Sequence, residues 1–152
     1  MTGEDGHVIL SSTCFQLGVT GSHITQSFSR RIERIGLSHK QVGLLAVVDA
    51  GVATSQREIA TRLHVAPSLV VTLVDRLTST GAVRRTRSRN DRRVQTIEIT
   101  DEGRRLLKAA TDIASGLDTD LRTLLSPDDQ QALDRLLPLL LHAAMATGQD
   151  EA

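Results

Sequence analysis

The fold of this chain is decided by residues 55–77, which read SQREIATRLHVAPSLVVTLVDRL. Ser55-x-x-Glu58 has the form of a capping box, in which the first and fourth residues satisfy each other's backbone N–H groups and open a helix. Apolar residues then recur at helical spacing up to Leu63. Pro67 follows at the first position of a second helix, where its missing N–H costs nothing. The stretch therefore predicts two short amphipathic helices joined by a tight turn.

The second of these helices has one apolar and one polar face. Its apolar stripe consists of Leu69, Val70, Leu73, Val74 and Leu77. By subtraction, the outward-facing residues are Ser68, Val71, Thr72, Asp75 and Arg76. Small side chains near the exposed N-terminal end suit a recognition helix that enters the major groove of DNA.

A β-hairpin is predicted directly after this pair of helices. Residues 83–87 and 94–99 alternate apolar and polar side chains, as strands do. Ile97 and Ile99 are expected to join the core only in part. A helix pair followed by a hairpin is the layout of a winged helix-turn-helix.

Arginine is concentrated on this hairpin, whose tip spans residues 88–91. Between residues 84 and 93 the arginines are Arg84, Arg85, Arg87, Arg89, Arg92 and Arg93, and the single acid is Asp91. A run of charge is usually a solvated loop. Here the planar guanidinium groups stand at the end of a hairpin, where they suit contact with phosphates and with a narrow minor groove. The pattern therefore favours a wing that grips duplex DNA.

The distribution of charge agrees with this interpretation, although the net charge is zero. Residues 55–100 carry nine arginines against four acids, a balance of +5, whereas residues 101–152 carry five bases against ten acids. One face is thus expected to attract phosphate. Phe15 and Phe28 are the only aromatic residues. Modules for single-stranded nucleic acid stack bases on aromatic rings, so a duplex is the favoured ligand.

The N-terminal part of the chain predicts two further helices. Residues 8–35 show helical spacing, interrupted near Gly18–Gly21, and indicate one long helix with a possible kink there. Gly36 is expected to end it in a left-handed cap. Ser38-x-x-Gln41 is another capping box and predicts a buried central helix that runs to about Ala50.

The C-terminal part predicts two long helices. Thr100 is expected to cap a helix over residues 101–125, with acids in its first turn where the helix dipole favours them. Ser126-Pro-Asp-Asp129 then opens a last helix that runs to about Ala146. Pro138 is expected to bend that helix.

Several motifs in this order resemble the multiple antibiotic resistance regulator (MarR) family. They are Leu73-Val-Asp-Arg-Leu77, Gly81-Ala-Val83, Asp91-Arg-Arg93 and Ile99-Thr-Asp-Glu-Gly103, with Leu37-Ser-x-x-Gln41 and Glu58-Ile-Ala60 before them. The resemblance covers roughly residues 8–145. It implies a homodimer that binds a palindromic operator and usually represses transcription until a small ligand or oxidation releases it.

The implied fold class is mainly α with a minor α+β character. It is a winged helix-turn-helix with a β-hairpin wing and a helical dimerisation region formed by the N- and C-terminal helices. Residues 1–152 would form a single MarR-type domain. Within it, residues 38–100 would be the DNA-binding lobe, and residues 8–36 and 101–147 the dimerisation helices.

The resemblance also assigns roles by position. Ser68 resembles the family's early recognition-helix serine, Arg93 the wing arginine of the minor groove, and Asp91 the acid that holds it. Val71 and Thr72 stand where the family often has Thr and Arg, which suggests apolar contact with a thymine methyl group. The candidate DNA-binding residues are Ser55, Gln56, Ser68, Val71, Thr72, Arg76, Arg85, Arg87, Arg89, Asp91, Arg92 and Arg93.

Two regulatory sites are suggested along the first helix. His23 lies where the family's effector cleft opens, and Gln16 and Ser27 are candidates with it. Cys14 matches the spacing of the family's peroxide-sensing branch. The chain has no tyrosine, the residue that activates the thiol in that branch, and core packing is the commoner role of a lone cysteine. Both interpretations of Cys14 stay open.

Catalysis, metal binding and membrane insertion find no support in the sequence. No nucleophile elbow, glycine-rich phosphate loop or HExxH motif occurs, and the five histidines form no ligand cluster, so neither an enzyme nor a cofactor or metal is expected. A single cysteine suits a reducing compartment, and the apolar run 136–141 is too short to span a bilayer. A cytoplasmic protein is therefore expected. The rival interpretation is a winged helix used for protein contact, without an operator.

Overall fold

The computed structural model describes residues 4–87 and 95–147. Its elements follow the order α1 (Glu4–Ser11), α2 (Thr13–Ile32), a 3₁₀ turn (Glu33–Ile35), α3 (His39–Asp49), α4 (Gln56–Leu63), α5 (Pro67–Ser79), β1 (Val83–Arg87), β2 (Gln95–Ile99), α6 (Asp101–Arg122) and α7 (Pro127–Thr147). The chain divides into two compact units, one up to Ala114 and one from Ser115. The architecture is mainly helical with one antiparallel hairpin, which confirms the predicted fold class.

The N-terminal helix differs from its prediction in where it breaks. The chain leaves the helical conformation at Ser12 (φ −66°, ψ 141°), whose Oγ accepts a hydrogen bond from the Phe15 N–H at 3.3 Å. Gly18 and Gly21 lie inside α2, so the helix is interrupted at Ser12 and not at these glycines. An isolated glycine is tolerated within a helix, whereas a serine that can cap the next turn offers an alternative to the helical bond.

The core of the first unit is built around α3. Ser38 and Gln41 form the predicted capping box, and Gly36, at φ 77°, provides the predicted left-handed turn before it. Leu44 and Leu45 are fully buried in a cluster to which α2, α4, α5 and the hairpin also contribute. The prediction of a buried central helix is confirmed.

The helix pair forms as its local signals predict. Ser55 and Glu58 make the second capping box, and Pro67 occupies the start of α5. Between the helices His64 adopts a left-handed conformation at φ 50° and ends α4. The apolar stripe of α5 is buried at Val70, Leu73, Val74 and Leu77, with Leu69 partly buried.

The hairpin pairs in a register in which Val83 faces Ile99. Ile97 is 0% exposed and Ile99 is 7% exposed, so the prediction that they join the core only in part is wrong. The Ile97 N–H donates to the Thr54 carbonyl at 2.8 Å, which brings the loop after α3 against the strand. This long-range bond cannot be read from the alternation of side chains.

The start of α6 is locked to the turn before β1. The Thr100 Oγ lies 2.6 Å from the carbonyl oxygen of Gly81 and 3.0 Å from that of Ala82, and it accepts the Gly103 N–H at 3.1 Å. A Cβ at Gly103 would lie 2.1 Å from the Ala82 carbonyl oxygen. Only glycine permits so close an approach of the helix to this backbone.

The second unit contains the end of α6 and the whole of α7. The guanidinium of Arg122 bonds Asp118 at 2.9 Å and Asp134 at 2.5 Å. The hydrogen bond that Arg122 donates to Asp134 holds the pKa of the Asp134 carboxyl below its ordinary value. Helix α7 begins at Pro127 as predicted and continues through Pro138. Across the part of the chain that the structure describes, no helix is long and apolar enough to cross a membrane.

Candidate DNA interface

The outward face of α5 is formed by the residues that the sequence assigns to it. Ser68, Val71, Thr72, Asp75 and Arg76 are all exposed. Two helical turns of this face therefore contribute nothing to the core and are available to a ligand. We call residues 67–79 the recognition helix from here on.

The recognition helix is tied to the hairpin by an ion pair. A guanidinium nitrogen of Arg85 in β1 lies 2.5 Å from a carboxylate oxygen of Asp75. Only 31% of the Arg85 side chain is exposed, against 59% of Asp75. The sequence identifies Arg85 as a DNA contact, but one of its guanidinium nitrogens is already bonded to Asp75 within the protein. Its geometry is that of a strut between the two elements that would face DNA.

The outer face of the hairpin carries a second pair. Arg84 donates two hydrogen bonds, at 3.0 and 2.8 Å, to one carboxylate oxygen of Glu98 on the opposite strand. The Thr86 hydroxyl lies 2.9 Å from that of Thr96 and 3.1 Å from the other oxygen of Glu98. Arg84 is thus partly neutralised, as a cross-strand pair of opposite charges should be.

Arg87 is the last residue of β1. It is exposed and makes no ion pair with any residue in the ranges 4–87 and 95–147. The candidates Arg89, Asp91, Arg92 and Arg93 lie outside the described residues, and their roles in DNA binding stay predictions.

Ser55 and Gln56 stand at the N-terminus of α4 and are half-buried. The Ser55 Oγ accepts the Glu58 N–H at 3.3 Å, and a carboxylate oxygen of Glu58 accepts the N–H groups of Ser55 (3.0 Å) and Thr54 (3.1 Å). Donation by the Ser55 N–H and then the Thr54 N–H holds the pKa of Glu58 below its ordinary value of 4.5. The lowered pKa keeps the Glu58 carboxylate negatively charged. The Ser55 hydroxyl is already bonded within the capping box, so its first role is to cap α4.

The candidates for effector and redox chemistry lie on α2. Gln16 and His23 are exposed and Ser27 is half-buried, at a spacing that puts all three on one face of the helix. Cys14 is exposed as well, so the core-packing interpretation of this cysteine is wrong for the single chain. Within the described ranges no three His, Cys, Asp or Glu side chains group as metal ligands.

The Asp75–Arg85 pair is the feature that sequence reasoning missed. The helical pattern places Asp75 on the exposed face, and strand alternation separates Arg84 from Arg85. No local signal says that β1 returns close enough to the recognition helix for the two charges to meet. Opposite charges ten residues apart, with a helix end and a turn between them, are the only hint.

Comparison with known proteins gives the same architecture. The MarR family model matches residues 35–94. The HTH-type transcriptional repressor MdtR of Bacillus subtilis (strain 168) is 36% identical over 72 residues, 47% of this chain and 46% of that protein. The chain thus matches about half the length of this curated relative.

Two solved structures of the repressor CouR share the fold over most of the chain. CouR bound to a 23-mer DNA duplex has a TM-score of 0.76 and 28% identity, covering 93% of this chain and 97% of that one. CouR from Rhodococcus jostii RHA1 bound to p-coumaroyl-CoA has a TM-score of 0.73 and 25% identity, covering 85% and 91%. The MarR family model thus matches residues 35–94, and CouR shares the fold along most of the chain.

Proposed function

We propose that this protein is a sequence-specific regulator of transcription that binds duplex DNA as a homodimer. One observation carries the proposal: the recognition helix presents an exposed polar face, Ser68 to Arg76, beside an arginine-bearing hairpin to which Asp75 ties it. A helix of this kind fits the major groove, while arginines on the wing suit phosphates and the minor groove. The proposed role is regulatory and involves no catalysis.

The homodimer is supported by exposed apolar surface. In α1 and α2 the exposed apolar residues are Val8, Ile9, Leu10, Phe15, Leu17 and Val19, and in α7 they are Leu136, Leu137, Leu139, Leu140, Leu141 and Met145. Soluble monomers rarely leave this much apolar surface in contact with water. A second copy of the chain is the proposed occupant of both surfaces.

Two-fold symmetry of the protein would be mirrored in its DNA. Two recognition helices about 34 Å apart read half-sites about one turn of the duplex apart, so the proposed operator is palindromic. Repression is the proposed outcome, supported by the repressors MdtR and CouR. CouR also binds p-coumaroyl-CoA, which supports release by a small molecule, with Gln16, His23 and Ser27 as the proposed contacts.

The experiment is a fluorescence anisotropy titration of labelled duplexes from the region upstream of the protein's own gene. If the dimer neutralises about six to ten phosphates, affinity should fall about 10³- to 10⁵-fold between 50 and 200 mM salt. A single-stranded oligonucleotide of the same sequence is the control and should bind weakly. A duplex affinity that ignores salt, or no duplex binding at any salt, would refute the proposal in favour of a protein-contact module.

A further inference from the structure

A cavity of about 390 Å³ lies beside the recognition helix. One wall is the segment that enters α3, with Gly36, Leu37, Ser38 and Gln41. The other wall is the second half of the recognition helix, with Thr72, Leu73 and Arg76, and Glu33 completes the rim. The cavity therefore joins the exposed polar face of α5 to the N-terminus of α3, an element outside the helix pair and the wing.

The amide of Gln41 is the most informative group in this cavity. Gln41 is 5% exposed, and its Oε1 accepts the Ser38 N–H at 2.7 Å. Its Nε2 has no acceptor among residues 4–87 and 95–147, although the side chains described there leave no fully buried polar atom without a partner. The Nε2 is therefore not fully buried, and Gln41 is one of the residues that line the cavity. A largely buried amide on the wall of an open cavity, with two donors unused by the described residues, is suited to an oxygen acceptor.

Two further features favour an acceptor that is negatively charged. Helix α3 has 11 residues, and the N–H groups of His39 and Lys40 in its first turn have no acceptor within the helix. The positive end of the helix dipole adds to their attraction for an anion. Arg76, on the opposite wall, is exposed and forms no ion pair with any residue of the described ranges.

We propose that this cavity holds one backbone phosphate of the DNA duplex in each protomer. The Gln41 amide and the N-terminus of α3 would donate to one phosphate oxygen, and the Arg76 guanidinium to another. The inference rests on the proposed function and adds a contact from the scaffold helix. Because α3 packs into the buried core, a phosphate held there would fix how deeply the recognition helix enters the groove. Glu33 opposes the contact, since its carboxylate shares the rim.

The test begins with Gln41→Glu, a substitution that keeps the capping box because Glu serves the same role there. It replaces the two N–H donors by a carboxylate oxygen that repels phosphate. Affinity for duplex DNA should fall about tenfold or more, equally for specific and unrelated sequences, while the melting temperature is retained. Gln131→Glu makes the same change on the exposed surface of α7 and should leave affinity unchanged.

Two companion variants should change the affinity for DNA in opposite directions. Arg76→Gln should weaken binding and lower the salt exponent by about 0.9 for each phosphate lost, whereas Lys108→Gln, which removes an exposed charge from α6, should not. Glu33→Gln should strengthen binding. If the wild type binds duplex and Gln41→Glu binds as tightly, the phosphate site is overturned and the proposed function stands. If the wild type binds no duplex, both fail.

Duplexes with a modified backbone test whether the bound phosphate belongs to the DNA. A set of duplexes, each with one methylphosphonate linkage, neutralises the backbone one phosphate at a time. One position in each half-site should weaken the wild type but have no further effect on Gln41→Glu, because both changes remove the same contact. Additive losses at every position would overturn the proposal. They would leave the cavity to a free oxyanion, which a titration with inorganic phosphate would then detect at the Gln41 amide by NMR.

Discussion

The Asp75 carboxylate on the recognition helix bonds the Arg85 guanidinium on the first strand of the hairpin. If this pair positions the wing, Asp75→Asn and Arg85→Gln should each weaken DNA binding. The double variant should be no weaker than the worse single variant, because partners in one contact are not additive. Anisotropy titrations of the four proteins measure this coupling.

The same cycle separates positioning from direct contact. If Arg85 instead bound a phosphate, Arg85→Gln would lower the salt exponent by about 0.9 per protomer. Asp75→Asn, which removes a negative charge facing DNA, would then raise affinity. A higher DNA affinity for Asp75→Asn would therefore disprove the positioning role of the ion pair and indicate that Arg85 contacts DNA directly.

Gly103 controls how α6 meets the base of the hairpin. Gly103→Ala places a Cβ about 2.1 Å from the Ala82 carbonyl oxygen, a contact that only backbone movement can relieve. The free energy of unfolding should drop by about 2–3 kcal/mol, as measured by urea denaturation. Gly116→Ala in the same helix is the matched control, since nothing lies within 4 Å of its added Cβ. It should be neutral or stabilising by up to about 1 kcal/mol; equal losses in the two variants would contradict the account.

The helix boundaries were predictable where the chemistry is local. Ser38, Ser55 and Pro67 act on backbone groups one turn away, so the sequence alone contains the reason for each helix start. The break at Ser12 was harder, because two glycines and a serine competed within one helical pattern. The Ile97 N–H donates to the Thr54 carbonyl, 43 residues earlier in the chain, and no periodicity reports such a contact.

The site was predictable as a surface but not as a set of contacts. Helical spacing identifies which α5 side chains are exposed, because exposure follows from the burial of the opposite stripe. It cannot distinguish Arg76, which has no ion pair among the described residues, from Arg85, which is engaged with Asp75. The donors of Gln41 escaped notice because the capping box already explained that residue.

Glu58 should make the start of α4 sensitive to acid. Its pKa is lowered in the folded state by the N–H groups of Ser55 and Thr54. The stabilisation is therefore complete above the ordinary value of 4.5 and is lost as pH falls through the lower, folded value. Urea midpoints should fall more steeply below about pH 4.5 in the wild type than in Glu58→Gln, which keeps the cap without the titration. Parallel curves would show that Glu58 does not contribute.

Cys14 tests the rival mode of release. The cysteine is exposed on α2, but the chain contains no tyrosine to activate its thiol in the manner of the peroxide-sensing branch. We expect hydrogen peroxide, at concentrations that oxidise an unactivated thiol only slowly, to leave the DNA affinity of the wild type unchanged. The contrary outcome is that peroxide releases DNA from the wild type but not from Cys14→Ser. Anisotropy would measure the release and mass spectrometry the oxidation of the thiol, and this result would establish a thiol switch instead.

The C-terminal helix should control assembly. Leu137 and Leu141 lie one helical turn apart on α7 and are 49% and 63% exposed in the single chain. Replacing both with lysine puts two charges into the proposed interface, where desolvation disfavours them strongly. The variant should be a monomer by light scattering. It should lose most of its DNA affinity, because a monomer places one recognition helix on one half-site, whereas the dimer contacts both half-sites together. Leu124→Lys, outside the helices and already 83% exposed, is the control and should remain a dimer. A wild type that is monomeric at micromolar concentration, or a lysine variant that still dimerises, would remove the two-fold geometry on which the palindromic operator depends.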